Sequence, residues 1–338
     1  MISISTCMIV KNEERLLNRC LDCVKQFSDE IIIVDTGSID RTKEIAASYT
    51  DKLYDFPWIN DFSAARNFSF SKASCDYIYV ADADEMIDAE NIQKIKELKQ
   101  ILLPEIDIVQ MYYTNQLEYG TTYNYDKEYR PKLIKRLREF YWQDPLHETL
   151  RLEPIIFDSD ISIIHKPHEN HSSRDFANLQ KLIQSGKPLS QKLNVMYAKE
   201  LFIAGSREDF LTAMPYFLSL MDNVLKEDEL KAAQCVLSKC AALSQDAHLM
   251  LNAALKNIAD GHPSSEVCTC LGEYYEACNE PEEAAMWYYN AVYESECQLA
   301  IRYGHELPLQ GLVRCYTMLN QEDQAAIYQQ ELNAESIN

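Results

Sequence analysis

Asp76-Tyr77-Ile78-Tyr79-Val80-Ala81-Asp82-Ala83-Asp84-Glu85 reads as a buried strand running directly into a string of carboxylates. The apolar run has the length and composition of a strand covered on both faces. In an extended segment, side chains at i and i+2 share a side, so Asp82 and Asp84 can converge on one hard cation. Mg2+ and Mn2+ take oxygen ligands and are commonly shared with substrate phosphates. Such a string also fits a solvated acidic turn. Its place after a buried strand favours the cation site.

Outward from this stretch, strand and helix signals alternate. Ile4 to Val10 reads as a strand and Asn12 to Phe27 as a helix. Glu30-Ile31-Ile32-Ile33-Val34 is a second buried strand, Asp40 to Ala47 a helix, Asn91 to Leu102 a further amphipathic helix, and Ile106 to Tyr113 another strand. This βαβα order predicts an α/β domain, Rossmann-like, with a mostly parallel sheet and helices on both faces. In such sheets ligands bind beyond the carboxyl ends of the strands. Asp35 and Asp82 both sit there. Asp35-Thr36-Gly37-Ser38 can make a tight turn in which Asp35 accepts hydrogen bonds from a nucleobase or a ribose, with the next helix's amide end nearby. An ordinary turn capped by Ser38 or Asp40 fits the same residues.

From about Asp175 the rhythm becomes helix after helix. Leu271-Gly272, Tyr275, Ala284, Tyr288 and Ala291 follow the tetratricopeptide offsets. Small residues let two antiparallel helices close, and aromatics fill the groove against the next pair. Leu312, Tyr316 and Ala325 repeat the offsets without the Gly, and Leu201, Ala204 and Ala213 suggest a degenerate earlier unit. The expected division is 1–170 for the α/β domain and 175–338 for an all-α, tetratricopeptide-like helical domain. A plain helical bundle is the alternative for the second.

Composition narrows the function. The 338 residues carry 53 acidic and 32 basic side chains, a net charge of −21. That disfavours nucleic acid, whose affinity comes from neutralised phosphates, and an anionic membrane surface. No apolar run approaches the ~18 residues of a membrane span, and the opening residues read as a strand rather than a signal peptide. The expected compartment is the cytoplasm, with the 11 cysteines as free thiols. Cys20 and Cys23, like Cys268 and Cys270, lie in helical patterns without a convincing four-ligand set, so they read as core or surface thiols.

Several ordered strings carry a resemblance. Thr6-Cys7-Met8-Ile9-Val10-Lys11-Asn12-Glu13-Glu14 looks like the opening of bacterial family-2 glycosyltransferases with the GT-A fold. So does Asp29 to Thr42, with Asp35-Thr36-Gly37-Ser38 at its centre. Trp58, then Asp61-Phe62-Ser63-Ala64-Ala65-Arg66-Asn67, then Asp82-Ala83-Asp84-Glu85 continue the series. Leu146-His147-Glu148 resembles the family's Val-His-Glu element, and Ile163-Ile164-His165 its later strand-end histidine. One subgroup, which includes the sublancin-type peptide S-glycosyltransferases, also carries tetratricopeptide-like helices after the transferase.

The resemblance implies an inverting, metal-dependent sugar transferase using Mg2+ or Mn2+ and a nucleotide-sugar, a UDP-sugar being favoured. It assigns Asp35 and Arg66 to the base and ribose, with Val10 and Asn12 beside them, and Asp82 to the ribose or sugar. Asp84 becomes the main metal ligand, completed by His165, with His147 its rival. Glu148 is the candidate general base or acceptor-positioning group. A histidine ligand must be neutral, so activity should fall at low pH. A thiol acceptor would ease the need for a base. The segment before Leu146 lacks the family's usual Gly, and Lys166-Pro167-His168 replaces a Gly-Tyr. His168 and His171 read as surface residues or alternative ligands. Arg130, Lys132, Lys135, Arg136 and Arg138 form a basic cluster that fits a diphosphate or a solvated face.

The acceptor is expected to be a protein or peptide, since helical repeats offer a surface suited to one. The same helices suit self-association into a homo-oligomer or a polysaccharide acceptor. A catalytically idle nucleotide-sugar-binding scaffold and a nucleotidyltransferase are the competing readings.

Overall fold

The computed structural model describes residues 1–114, 127–138, 142–143, 149–166, 172–184, 186, 189–223, 225–259 and 261–335. The chain divides into two compact units, residues 1–170 and 171–338.

The first unit contains, in order, β1 (Ile4–Val10), α1 (Leu17–Val24), β2 (Glu30–Asp35), α2 (Thr42–Ala47), β3 (Leu53–Asp55), α3 (Phe62–Ser71), β4 (Tyr77–Ala81), β5 (Glu85–Met86), α4 (Ala89–Ile101), β6 (Ile108–Thr114), β7 (Glu128–Lys135), β8 (Trp142–Gln143), β9 (Thr149–Leu150) and β10 (Ile156–His165). One eight-stranded sheet has the order β3-β2-β1-β4-β7-β6-β10-β5, and β8 and β9 form a separate ribbon. Neighbours are parallel except where β7 meets β4 and β6 and where β5 meets β10. This is the mostly parallel α/β sheet expected from the sequence.

Strand alternation explains why both faces are covered. Ile4, Met8 and Val10 of β1 pack with Leu17, Cys20, Leu21 and Val24 of α1. Cys7, on the other face, packs with Ile32, Ile78 and Phe70 of α3. The buried positions of α1 recur at helical spacing, which is what a single apolar stripe requires. The helix begins at Leu17 rather than Asn12. Asn12 takes the left-handed conformation, φ 57°, and is tied to the next strand-end loop instead. Asp61 and Asp88 cap α3 and α4 through the amides of Ala64 and Asn91.

At the amino end of the sheet, Glu30 is a buried tie point. It accepts from Lys52, from the Ser5 hydroxyl, and from the Ser74 amide and hydroxyl at 2.9 Å each. Burial would raise its pKa, but these donors outweigh burial and bring it down to about 2.

The second unit is helical: α5 (Ser172–Gln184), α6 (Gln191–Ala204), α7 (Arg207–Leu220), α8 (Glu227–Ser244), α9 (Ala247–Ala259), α10 (Ser265–Ala277), α11 (Pro281–Tyr293), α12 (Glu306–Met318) and α13 (Glu322–Glu335). α8 pairs with α9, α10 with α11 and α12 with α13. Leu201 and Ala213 are buried, but Ala204, read with them as part of an earlier repeat, is exposed; α6 and α7 meet through rings, Phe202 on Phe210 and Tyr197 on Phe217, and both lie on α8. Leu271, Gly272, Ala284, Tyr288 and Ala291 are all buried, as the tetratricopeptide offsets require. Gly311, unread in the sequence, has the same task as Gly272. A methyl on Gly272 would sit 2.6 Å from the Tyr288 ring, and one on Gly311 closer still, on the ring's other side. Tyr288 is thus a wedge between two glycines of α10 and α12. Its hydroxyl donates to Glu276 at 2.7 Å, and Glu276 also pairs with Arg314.

Two predictions follow from this packing. Gly272→Ala or Gly311→Ala should cost about 1–3 kcal/mol by overpacking, despite alanine's better helix propensity, measured by urea unfolding. A depressed carboxylate pKa stabilises the fold above the unfolded value, 4.5 for Glu30, and that stability is lost as pH falls toward 2. Glu30→Gln should therefore remove on the order of 3 kcal/mol at pH 7 and much less at pH 3, read from denaturant midpoints at the two pH values.

Candidate functional site

Three strand ends converge beyond the carboxyl edge of β2, β1 and β4. Val10 and Asp35 are register partners, and the Thr36 amide closes on the Val10 carbonyl at 3.0 Å. The next loop is stitched to it by Asn12. Its amide donates to the Ser38 hydroxyl and its side-chain oxygen accepts from the Ile39 amide, both at 2.9 Å. Asp35 is fully buried. Its Oδ1 accepts from the amides of Gly37 and Ser38 at 3.0 Å, with Lys43 at 3.7 Å. Gly37 supplies the left-handed step, φ 103°. Asp35 Oδ2 is buried with no hydrogen-bond partner among the described residues. The turn thus uses one carboxylate oxygen and leaves the other for a ligand. Neither Ser38 nor Asp40 acts as N-cap of α2. That helix starts at Thr42, with Arg41 at the cap and no side-chain cap bond.

The segment after β4 is not extended as the sequence suggested: Ala83 and Asp84 form a turn in which the Glu85 amide donates to the Asp82 carbonyl at 3.2 Å. Ala81, Ala83 and Glu85 are buried, while Asp82 and Asp84 are partly exposed. Asp82 meets Arg66 of α3 at 3.1 Å. Partial burial opposes its ionisation, but Lys132, Arg66 and Arg130 outweigh that and hold its pKa below the usual carboxylate range. Asp84 Oδ2 lies 3.1 Å from His165 Nε2. His165 ends β10 and is register partner of Glu85, because β5 pairs antiparallel to β10. Asp84 Oδ1 is buried and has no hydrogen-bond partner among the described residues. The Tyr113 ring lies beside His165, centroids 5.1 Å apart, and the Arg130 guanidinium stacks over it at 3.9 Å.

The basic cluster divides. Lys132 is buried in an ion pair with Glu85, 2.6 and 2.8 Å to its two oxygens. Burial pushes the Glu85 pKa up, Lys132 pulls it back, and the Asp82 charge adds to the rise. Arg130 stays near the site. Lys135, Arg136 and Arg138 instead hold the carbonyls of Pro104, Cys75 and Leu152. β7 runs antiparallel to β4, so successive residues move away from the carboxylate end.

Several contributors went unread in the sequence. Glu85 was read only within the carboxylate string, and its burial against Lys132 of β7 depends on a partner distant in sequence. Arg19 and Cys20, from α1, reach the carbonyls of Asp84 and Asp82 at 3.3 and 3.2 Å. Nothing in a helical pattern signals that. Val10, Asn12, Asp35, Arg66, Asp82, Asp84 and His165 all lie along this edge. His147, Glu148, His168 and His171 lie outside the described residues.

The fit to a divalent cation can be judged from these atoms. Asp84 offers a buried, unpartnered oxygen, and two adjacent ligands of an octahedral ion with ~2.1 Å bonds stand about 3 Å apart, as Nε2 and Oδ2 do. Among the described residues no cluster of three or more His, Cys, Asp or Glu side chains is suited to a metal. Few protein ligands, with phosphate oxygens and water completing the shell, is the pattern typical of Mg2+. The residues present fit the group.

Residues 5–151 match the family model described as Glycosyl transferase family 2. A TPR repeat-containing protein of Synechococcus elongatus is 50% identical over 90 residues, 27% of this chain and 22% of that protein. The SPbeta prophage-derived glycosyltransferase SunS of Bacillus subtilis is 28% identical over 261 residues, 71% of this chain and 58% of that protein. The matches thus span about a fifth and under three-fifths of the length of these curated relatives. A crystal structure of glucosyl-3-phosphoglycerate synthase from Mycobacterium tuberculosis aligns with TM-score 0.38 and 14% identity, over 56% of this chain and 82% of that one. No helix among the described residues is long and apolar enough to cross a membrane. Residues 5–151, within the first unit, thus carry a domain that matches glycosyltransferase family 2.

Proposed function

We propose that the chain is an inverting glycosyltransferase that moves a sugar from a nucleotide-diphosphate sugar, a UDP-sugar being favoured, to a protein or peptide acceptor. The observation that carries this reading is the meeting of Asp84 and His165 at 3.1 Å, alongside the Asp82–Arg66 pair and the free oxygen of Asp35 on one sheet edge.

Each residue then has a task set by its position. Asp35 Oδ2 accepts a hydrogen bond from the nucleoside, in a turn already rigid through Oδ1. Val10 and Asn12 shape the wall beside it. Arg66 would hold the base and ribose with Asp35, and its pairing with Asp82 keeps that carboxylate ionised to take a ribose or sugar hydroxyl. Asp84 and His165 would hold Mg2+ or Mn2+, which when bound stabilises the charge that develops on the departing diphosphate. Arg130 adds positive charge on the same side. Glu148 is the proposed general base, with His147 beside it, acting on the acceptor opposite the diphosphate.

The peptide acceptor is supported by the helical hairpins of the second unit. Such hairpins give extended surfaces on which chains can lie.

Purified protein should hydrolyse or transfer UDP-sugars in the presence of Mn2+. Asp84→Asn should lower that rate at least about 100-fold, since an ion-held leaving group supplies several kcal/mol of transition-state stabilisation. Its thermal midpoint should stay within a few degrees of the parent. Undiminished turnover in folded Asp84→Asn would sink the metal assignment, and absence of nucleotide-sugar binding by calorimetry would favour an idle scaffold.

A further inference from the structure

Asp84 and His165 are 81 residues apart in the chain, yet 3.1 Å apart in space. The strand pairing that joins them is slight. β5 has two residues, and only Ile164 with Met86 and His165 with Glu85 are in register. A ladder this short frays unless another element holds it.

That element is α1. Arg19 Nη2 donates to the Lys166 carbonyl at 2.8 Å and to the Asp84 carbonyl at 3.3 Å. The Lys166 amide donates to the same Asp84 carbonyl at 2.9 Å. One guanidinium nitrogen, with two diverging N–H bonds, therefore ties Asp84 to the residue that follows His165. Among the described residues Arg19 has no carboxylate partner, and its Nε has no hydrogen-bond partner at all. Its charge is met by carbonyl dipoles at the backs of the two candidate ligands. The next residue, Cys20, donates to the Asp82 carbonyl at 3.2 Å. Consecutive residues of one helix thus grip the backbone of both aspartates, while the aspartate side chains face away toward the site. A lysine cannot reproduce this, because its donors sit at the tip of a flexible stem rather than in a planar fork.

We propose that Arg19 is a positioning residue that sets the spacing of Asp84 and His165 and so the affinity of the site for a divalent cation. The proposal rests on the reading of those two residues as the ligands. Arg19 itself touches neither ion nor substrate. Removing such a support commonly weakens metal binding about 10- to 100-fold without removing a ligand.

The test is Mn2+ binding in the presence of UDP, followed by the electron paramagnetic resonance of free Mn2+, on full-length protein. Arg19→Met should raise the Mn2+ dissociation constant at least about 10-fold, and Arg19→Lys by a smaller factor. Turnover in Arg19→Met should recover in large part at saturating Mn2+, because both ligands remain. Glu30→Gln, destabilised at the far end of the same sheet, serves as the control and should bind Mn2+ as the parent does. A dissociation constant within twofold of the parent in folded Arg19→Met overturns the proposal, as does equal weakening in Glu30→Gln. If Arg19→Met does not fold, Arg19→Lys carries the same criterion. Failure of the parent itself to bind Mn2+ with UDP overturns the ligand reading, and the Arg19 role with it.

Discussion

The in–out alternation of residues 81 to 86 governs the first unit. A turn after β4, closed by the Glu85 amide on the Asp82 carbonyl at 3.2 Å, leaves Asp82 and Asp84 partly exposed while Ala83 and Glu85 are buried. Glu85 would be intolerable in that interior without a cation, and Lys132 of β7 supplies it. A buried pair of this kind adds little net stability, but losing one partner costs about 3–5 kcal/mol. The pair therefore acts as a register pin. Moving Glu85 out of its place would leave Lys132 buried without its partner. Lys132 also lies against the rings of Tyr79 and Tyr113, and Tyr113 lies against His165. The Lys132–Glu85 pair and the Asp84–His165 pair are thus linked through the Tyr113 ring.

The two units use different physics. In the first, strands distant in sequence are paired, so the site depends on long-range register and on cross-ties such as Arg19 and Glu30. In the second, each helix packs mainly on near neighbours in sequence. Its central device is steric. Tyr288 fills the space that Gly272 and Gly311 leave open, and Glu276 with Arg314 satisfies its hydroxyl. The repeat offsets can drift in the earlier helices because there Phe202, Phe210, Tyr197 and Phe217 fill space with rings instead of following the small-residue rule.

Much of this was legible in the residues. Continuous β-branched and aromatic runs placed β1, β2 and β4 with little error, and Asp35 and Asp82 were recognised as strand-end acids. Other features resisted. The apolar spacing of α1 extends back to Asn12, but the left-handed backbone there answers to Ser38 and Ile39, which lie in another loop. Lys135, Arg136 and Arg138 resembled one cluster with Arg130 and Lys132. An antiparallel strand in a mostly parallel sheet carries them away from the site, and no local pattern reveals strand direction.

What the sequence by itself determined is the kind of element at each position and the class of chemistry. Periodicity is local, and carboxylates after a buried strand carry their own implication. What only the tertiary structure decided is which groups meet. His165 stands at Asp84, Lys132 at Glu85, and Arg19 behind Asp84 and Lys166. Each of those meetings depends on the order and direction of strands in the sheet, which arise from long-range packing rather than from any window of sequence. The two aspartates that the sequence offered as a pair were separated by their partners, Asp82 toward Arg66 and Asp84 toward His165, because neighbouring elements, not the spacing, choose what each carboxylate faces.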